Sequence, residues 1–289
     1  MGLSKMKLPC VLRSGSGLIL LSRNSKLPAN EPNICIEKGT WLGKDVEVSA
    51  DDACRIVIKS GTTVQDRCKI LGHVTIERST LLAPNVFISS GIHQAFERPH
   101  LPIREQEEIC PAKELQNHVE EDCWLGINVF VKAGVYIGRG AVVGANSIVL
   151  SDVFPYQVIV GVHRTAKLRL EFAPPSALSI KNETHRPYFY RGFSSSGEVL
   201  NAKPLFVLST ELAHKKSVTL LGEGVCRIRS ASSNKCGNIS THKKSENELV
   251  LEFQNSGKGS LSAPAILDSF FCLELDCDLS SSIKIEALL

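Results

Sequence analysis

The chain has 289 residues, 43% hydrophobic and 22% charged, the composition of a globular protein of one large or two ordinary domains. A net charge of +3, with no basic run interleaved with aromatics, argues against nucleic acid as a partner. Ten cysteines without CxxC spacing argue against a zinc site or a disulfide frame and read as reduced thiols in a cytoplasmic protein.

Residues 1–30 read as an N-terminal lead-in. Its longest apolar stretch, GLILL at Gly17–Leu21, is too short to span a membrane and has no cleavage site after it, so no signal peptide is expected. A six-residue rhythm of branched aliphatics follows. Ile36, Leu42 and Val48 start it. After four extra residues come Ile58, Val64, Ile70, Ile76, Leu82 and Ile88, and later Val119, Leu125, Val131, Ile137, Val143 and Val149. A period of six is neither helical nor that of a plain strand. It suits a chain that runs a short strand, turns a corner and repeats. Three sides close a triangular coil of eighteen residues, so fifteen hexads make about five coils in parallel register over residues 31–172.

The position two residues before each aliphatic must be slim, and it holds Val46, Cys68, Val74, Thr80, Val86, Cys123, Val129, Val135, Ala141 and Ser147. Cys35, Cys54, Cys68 and Cys123 lie at or beside repeat positions and read as core thiols. Gly43, Gly126, Gly138 and Gly144 suit tight corners. A solenoid leaves flat faces and open ends, so capping and a homotrimer around a threefold axis are expected.

The rhythm stops within NVFISSGIHQAFERPHLPIREQEEICPAKELQNH, Asn85–His118, giving a loop at 93–118. A smooth prism has no cavity, and a loop this long needs a functional reason. His93 stands where it begins, at a corner of the prism. Imidazole suits a general base at neutral pH. Arg104 and Gln106 have donors for sugar hydroxyls or a carboxylate, or for an ordinary loop salt bridge. Trp124 offers an apolar wall or a packing contact, and Asn85 suits the corner that presents His93 more than a direct acceptor contact.

EFAPPSA (Glu171–Ala177) ends the hexads, and 173–186 read as a linker. From residue 187 to 289, PLFVLST, SVTLLGEG, VCRIRSAS, NELVLEFQN, SFFCLELDC and SSIKIEAL alternate as short strands, which predicts an antiparallel β-sandwich-like domain. Capping or assembly is favoured for it over glycan binding.

The segment Cys123–Gly161, CWLGINVFVKAGVYIGRGAVVGANSIVLSDVFPYQVIVG, resembles the hexapeptide-repeat acyltransferases, which are left-handed β-helix trimers. LLAPNVFISSGIH (Leu81–His93) is similar to the catalytic-histidine segment of the maltose and galactoside acetyltransferase branch. HQAFERPHLPIREQ (His93–Gln106) is closer to O-acetyltransferases of capsule and lipopolysaccharide synthesis. The resemblance implies an all-β fold, acetyl-CoA as acyl donor without a metal, and a saccharide acceptor. It implies that His93 deprotonates the acceptor hydroxyl for direct attack on the thioester. It also implies that the Gly126–Ile127 and Gly144–Ala145 amides hold the pantetheine arm, and that Arg164, Lys167 and Arg169 meet the CoA phosphates. Two departures touch the CoA end. Ser151 stands where relatives often carry lysine, and GVHRTAK (Gly161–Lys167) lacks their proline and is longer.

The alternatives are an N-acetyltransferase of an amino-sugar nucleotide and a non-enzymatic assembly or glycan-binding scaffold. A metal-dependent hydratase on the same fold needs a histidine spacing that His73, His93, His100 and His118 do not have.

Overall fold

The computed structural model describes residues 11–14, 17–21, 33–50, 54–93, 95–110, 115–169, 173–254 and 265–289. The chain divides into two compact units, Met1–Leu170 and Glu171–Leu289.

The first unit is a three-sided parallel β-helix. Face C is built from Ile34–Ile36, Ile56–Ile58, Val74–Ile76, Asn117–Val119 and Tyr136–Ile137. Face A follows each of these with Trp41–Leu42, Thr63–Val64, Leu81–Leu82, Trp124–Leu125 and Val142–Val143. Face B completes each coil with Glu47–Ser49, Lys69–Leu71, Phe87–Ser89, Phe130–Val131 and Ile148–Val149. These are the five coils expected from the hexads. Face A continues at both ends. Gly17–Leu21, in the lead-in, pairs in parallel with Trp41–Leu42, and Gln157–Val160 pairs with Val142–Val143. That face therefore has seven parallel levels, and an antiparallel strand closes each end of it.

The rhythm has a direct cause. All twelve aliphatics from Ile58 to Val149 at the hexad positions are 0% exposed, and Ile36, Leu42 and Val48 are 1–2% exposed. The slim second positions are also buried, from Val46 to Ser147. Full burial of such a side chain is worth about 1.5–3 kcal/mol relative to exposure, so a one-residue slip in a coil would forfeit several of these at once. Cys68 and Cys123 line this core, and burial pushes the Cys68 thiol up to about 11. Cys54 is half-buried and packs against this core, whereas Cys35, expected there too, is half-buried between Ile34 and Ile36 and faces the other side of its strand.

Corners need left-handed backbone. At the A–B corner Asp45, Arg67, Asn85, Asn128 and Asn146 all have φ between 55° and 59°. Asparagine tolerates that conformation better than most non-glycine residues.

The second unit is one antiparallel sheet of nine strands that curls as a half-barrel over its own core. All six strand segments read from the sequence lie in it, the longest being Ser217–Glu223 and Phe271–Cys277. Gly237–Ser245 was not anticipated, because its polar run hides the alternation, with His242, Lys243 and Lys244 all exposed. The stretch 173–186 is not a free linker: Leu178–Ser179 pairs with Leu288 and Ala287 and forms the sheet edge. Two residues are too few to show a strand period. The aromatic cluster of Phe189, Phe193 and Phe206 is core, with ring centroids 4.6–5.3 Å apart. Among the described residues no helix is long and apolar enough to cross a membrane.

Candidate active site

The break opens at the B–C corner. Ser90 is buried there, its N–H donating to Leu71 O (3.1 Å) and its hydroxyl accepting the His73 N–H (2.6 Å). The chain returns at Asn117, whose N–H donates to His73 O (3.0 Å). Both ends of the break are thus fastened to the corner of the preceding coil. Asn117 and His118 belong to a face C strand, so the irregular segment ends before them and not at 118 as expected. Asn117 lies inside the prism at 0% exposure. Its Nδ2 donates to Lys132 O (2.7 Å) and its Oδ1 accepts the Gly134 N–H (3.4 Å).

Within the break Ile103–Ile109 forms a short helix, α1. Its seven residues and the lack of a side-chain cap at Pro102 leave little helical signal in the sequence. Gln106 is its buried residue, 1% exposed. Gln106 Nε2 donates to Leu101 O (3.0 Å) and Ala95 O (3.4 Å), and Oε1 accepts the Arg98 N–H (3.0 Å). Gln106 was expected to face a saccharide. It is turned into the break instead, because a buried carboxamide must find partners for its donors and acceptors locally.

The next residue, Glu107, reaches back to His93: its Oε1 pairs with His93 Nδ1. The sequence reading missed Glu107, since EQEE offers three carboxylates with nothing in the spacing to single one out. The His93 side chain is 82% exposed. A carboxylate on Nδ1 holds the proton there and leaves Nε2 with a free lone pair. Arg104 is exposed and lies three residues before Glu107, on the same side of α1.

The remaining candidates sit elsewhere on the prism. Asn85 is at the A–B corner, in a ladder of side chains. Arg67 Nε donates to Asn85 Oδ1 (2.8 Å), Asn85 Nδ2 to Asn128 Oδ1 (2.8 Å), and Asn128 Nδ2 to Asn146 Oδ1 (2.9 Å). Its amide is thereby engaged in the corner. Gly126–Ile127 and Gly144–Ala145 line the same corner. The Gly126 and Gly144 amides donate to Val143 O and Ile159 O at 2.8 Å, inside the solenoid. They are not available to a ligand. Among the described residues nothing accepts from the Ile127 and Ala145 amides, so these are the two donors open to one. Trp124, 52% exposed, stands beside this corner on face A, between Leu81 and Val142.

Arg164 and Lys167 are exposed on the final strand. Arg169, also exposed, is anchored through one guanidinium nitrogen. Its Nη1 donates to Asp122 Oδ2 (2.8 Å), Asp122 O (3.1 Å) and Gly140 O (3.2 Å), clamping the C–A corner. The two departures from the family pattern meet: Ser151 Oγ lies 2.8 Å from His163 Nε2. Among the described residues no three His, Cys, Asp or Glu side chains gather as a metal site.

Residues 118–151 match the family described as bacterial transferase hexapeptide, six repeats. The chain is 40% identical over 97 residues to a putative lipopolysaccharide biosynthesis O-acetyl transferase, WbbJ, of Escherichia coli K12, covering 31% of this chain and 46% of that protein. It is 28% identical over 126 residues to the galactoside O-acetyltransferase of the same organism, covering 44% and 53%. The chain therefore spans about half the length of the curated relatives it matches. Among solved structures it is similar to a hexapeptide-repeat acetyltransferase of Vibrio cholerae complexed with acetyl coenzyme A. The TM-score is 0.40 at 22% identity, over 48% of this chain and 72% of that one. The β-helix carries two groups of candidate residues at different corners. His93, Arg104 and Glu107 are at the break, and Asn85 and the Ile127 and Ala145 amides are across face B from it.

Proposed function

We propose that this protein is an acetyl-CoA-dependent O-acetyltransferase acting on a saccharide hydroxyl of a cell-surface polysaccharide, capsule or lipopolysaccharide unit. The observation that carries this reading is the Glu107 carboxylate on His93 Nδ1, with the imidazole otherwise exposed. The two E. coli relatives, named as O-acetyltransferases, support it.

In this reading His93 Nε2 takes the proton of the acceptor hydroxyl as its oxygen attacks the thioester carbonyl. Glu107 stabilises the imidazolium that forms. A free backbone amide, Ile127 or Ala145, donates to the tetrahedral oxyanion. Collapse breaks the C–S bond, and His93 returns its proton to the departing thiolate, giving CoA and the acetyl ester. Arg104 faces the acceptor, and Arg164 and Lys167 take the CoA phosphates.

The base and the amide donors lie at different corners of one chain, so a complete site needs a second copy. A homotrimer would set the B–C corner of one copy against the A–B corner of the next. We read the enzyme as cytoplasmic, in keeping with nine free thiols among the described residues.

The test is release of CoA thiol from acetyl-CoA with a panel of saccharides, including amine-bearing acceptors, for the wild type and His93→Ala. Acceptor-dependent release lost in the variant is expected. Release only with amine-bearing acceptors would favour an N-acetyltransferase. No release with any acceptor, or equal release by the variant, would overturn the enzyme reading.

A further inference from the structure

We infer that Gln106 is a positioning residue that sets the Glu107–His93 pair, an inference that rests on the proposed role of His93. The break is 27 residues between Ser89 and Asn117, and its middle has no solenoid ladder to hold it. A base on such a segment would be badly placed unless something fixed the path of the chain. Gln106 does so from within. One buried side chain ties together Ala95, Arg98 and Leu101, which flank the turn between His93 and α1.

The geometry explains why this residue and not another carries the role. Ala95 O is two residues beyond His93, and Gln106 Nε2 donates to it. Glu107 is the next residue after Gln106 on the helix, and it reaches His93. The carboxamide and the carboxylate therefore span the same gap side by side, one to the backbone and one to the imidazole. The carboxamide also bonds Leu101 O, just before α1 begins, so it fixes the helix against the turn that leads into it. Without these bonds α1 could rotate or slide, and Glu107 would lose His93 even with both side chains intact. A misplacement of about 1 Å in a catalytic arrangement can cost on the order of 100-fold in rate.

Gln106→Met tests this, because it keeps the length and volume of the side chain and removes all three hydrogen bonds. Its kcat should fall roughly 10- to 100-fold while the KM for acetyl-CoA stays within about twofold of wild type. The Gln106→Met, Glu107→Gln double variant should be little worse than Glu107→Gln alone, since both changes break one pair. The second readout needs no activity. In 15N-labelled full-length protein the neutral His93 ring should carry its proton on Nδ1 in the wild type and lose that preference in both single variants.

Multiplicative losses in the double variant, or an unchanged His93 tautomer in Gln106→Met, would overturn the inference. If no acceptor ever supports transfer but the tautomer changes as stated, the positioning role stands and the enzyme reading fails. Circular dichroism of each variant separates either result from unfolding of the solenoid.

Discussion

Ser151 and His163 meet at the end of the solenoid, Oγ to Nε2 at 2.8 Å, with the Leu150 N–H donating to His163 Nδ1 (3.3 Å). Because Nδ1 is the acceptor, the neutral ring carries its proton on Nε2 and donates it to the serine. This serine is therefore not an activated nucleophile, and the pair is a clasp. Removing it in His163→Ala should leave kcat unchanged. The Ser151→Ala, His163→Ala cycle should show a coupling of about 0.5 kcal/mol in chemical denaturation, as for other contacting side chains.

Glu107→Gln keeps the size of the side chain and removes the charge that holds the Nδ1 proton and stabilises the imidazolium. The expected result is a fall in kcat on the order of 100-fold, with acetyl-CoA binding by calorimetry unchanged. His93→Ala should lose more, since it removes the proposed base itself.

Gly126 separates steric from catalytic effects. A Cβ there would stand 2.7 Å from Ala145 N, and its backbone is not left-handed, so the whole cost of Gly126→Ala is the clash between two coils. About 1–3 kcal/mol of stability should be lost, measured by denaturant unfolding. The neighbouring Ala145 amide should be displaced with it, raising the KM for acetyl-CoA.

Asn117→Ala removes the bridge from inside the prism to Lys132 O and Gly134 N. Lys132 and Gly134 are exposed residues whose groups water can reach, so losing these bonds should cost about 1 kcal/mol in all. The loss should appear as earlier urea unfolding and as faster amide exchange at Gly134.

His118 predicts a pH dependence. It stacks on Tyr136 at 5.2 Å, and burial lowers its pKa from 6.5, opposed by Glu77 and Glu120 and supported by Lys59. The unfolded chain then binds more protons than the folded one as pH falls below the ordinary histidine value. Stability is present above pH 6.5 and is lost as pH falls through the lowered folded value. Thermal unfolding followed across this range should show the loss, and His118→Phe should flatten it.

The solenoid was legible because its signal is redundant. Each coil repeats the same inward aliphatic, so Val143 or Ile70 is confirmed by every other member of the series. The break had no such redundancy. His93 could be singled out by its place at the end of a hexad and by resemblance, but Glu107 and Gln106 could not, because their roles depend on which way α1 faces. The two residues exchanged the roles that chemistry alone would assign: the amide is buried and the carboxylate faces His93. The anchoring of Arg169 was hidden for a similar reason. A cation in a basic run looks available until the fold brings Asp122, 47 residues earlier, against it.

The break shares its corner with two other changes in coil length. Val48 to Ile58 is four residues longer than a hexad, Ile88 to Val119 is 25 longer, and Val149 to Val153 is two shorter, all at the B–C corner. The other two corners keep the strict count through the five coils. At this edge the chain leaves and re-enters beside the same neighbours, as Ser90 and Asn117 do over Leu71 and His73, so added residues never have to be absorbed by the stack. The B–C edge is thus a splice point. A segment of another length or chemistry could be exchanged there while every buried aliphatic keeps its partner in the coils on either side.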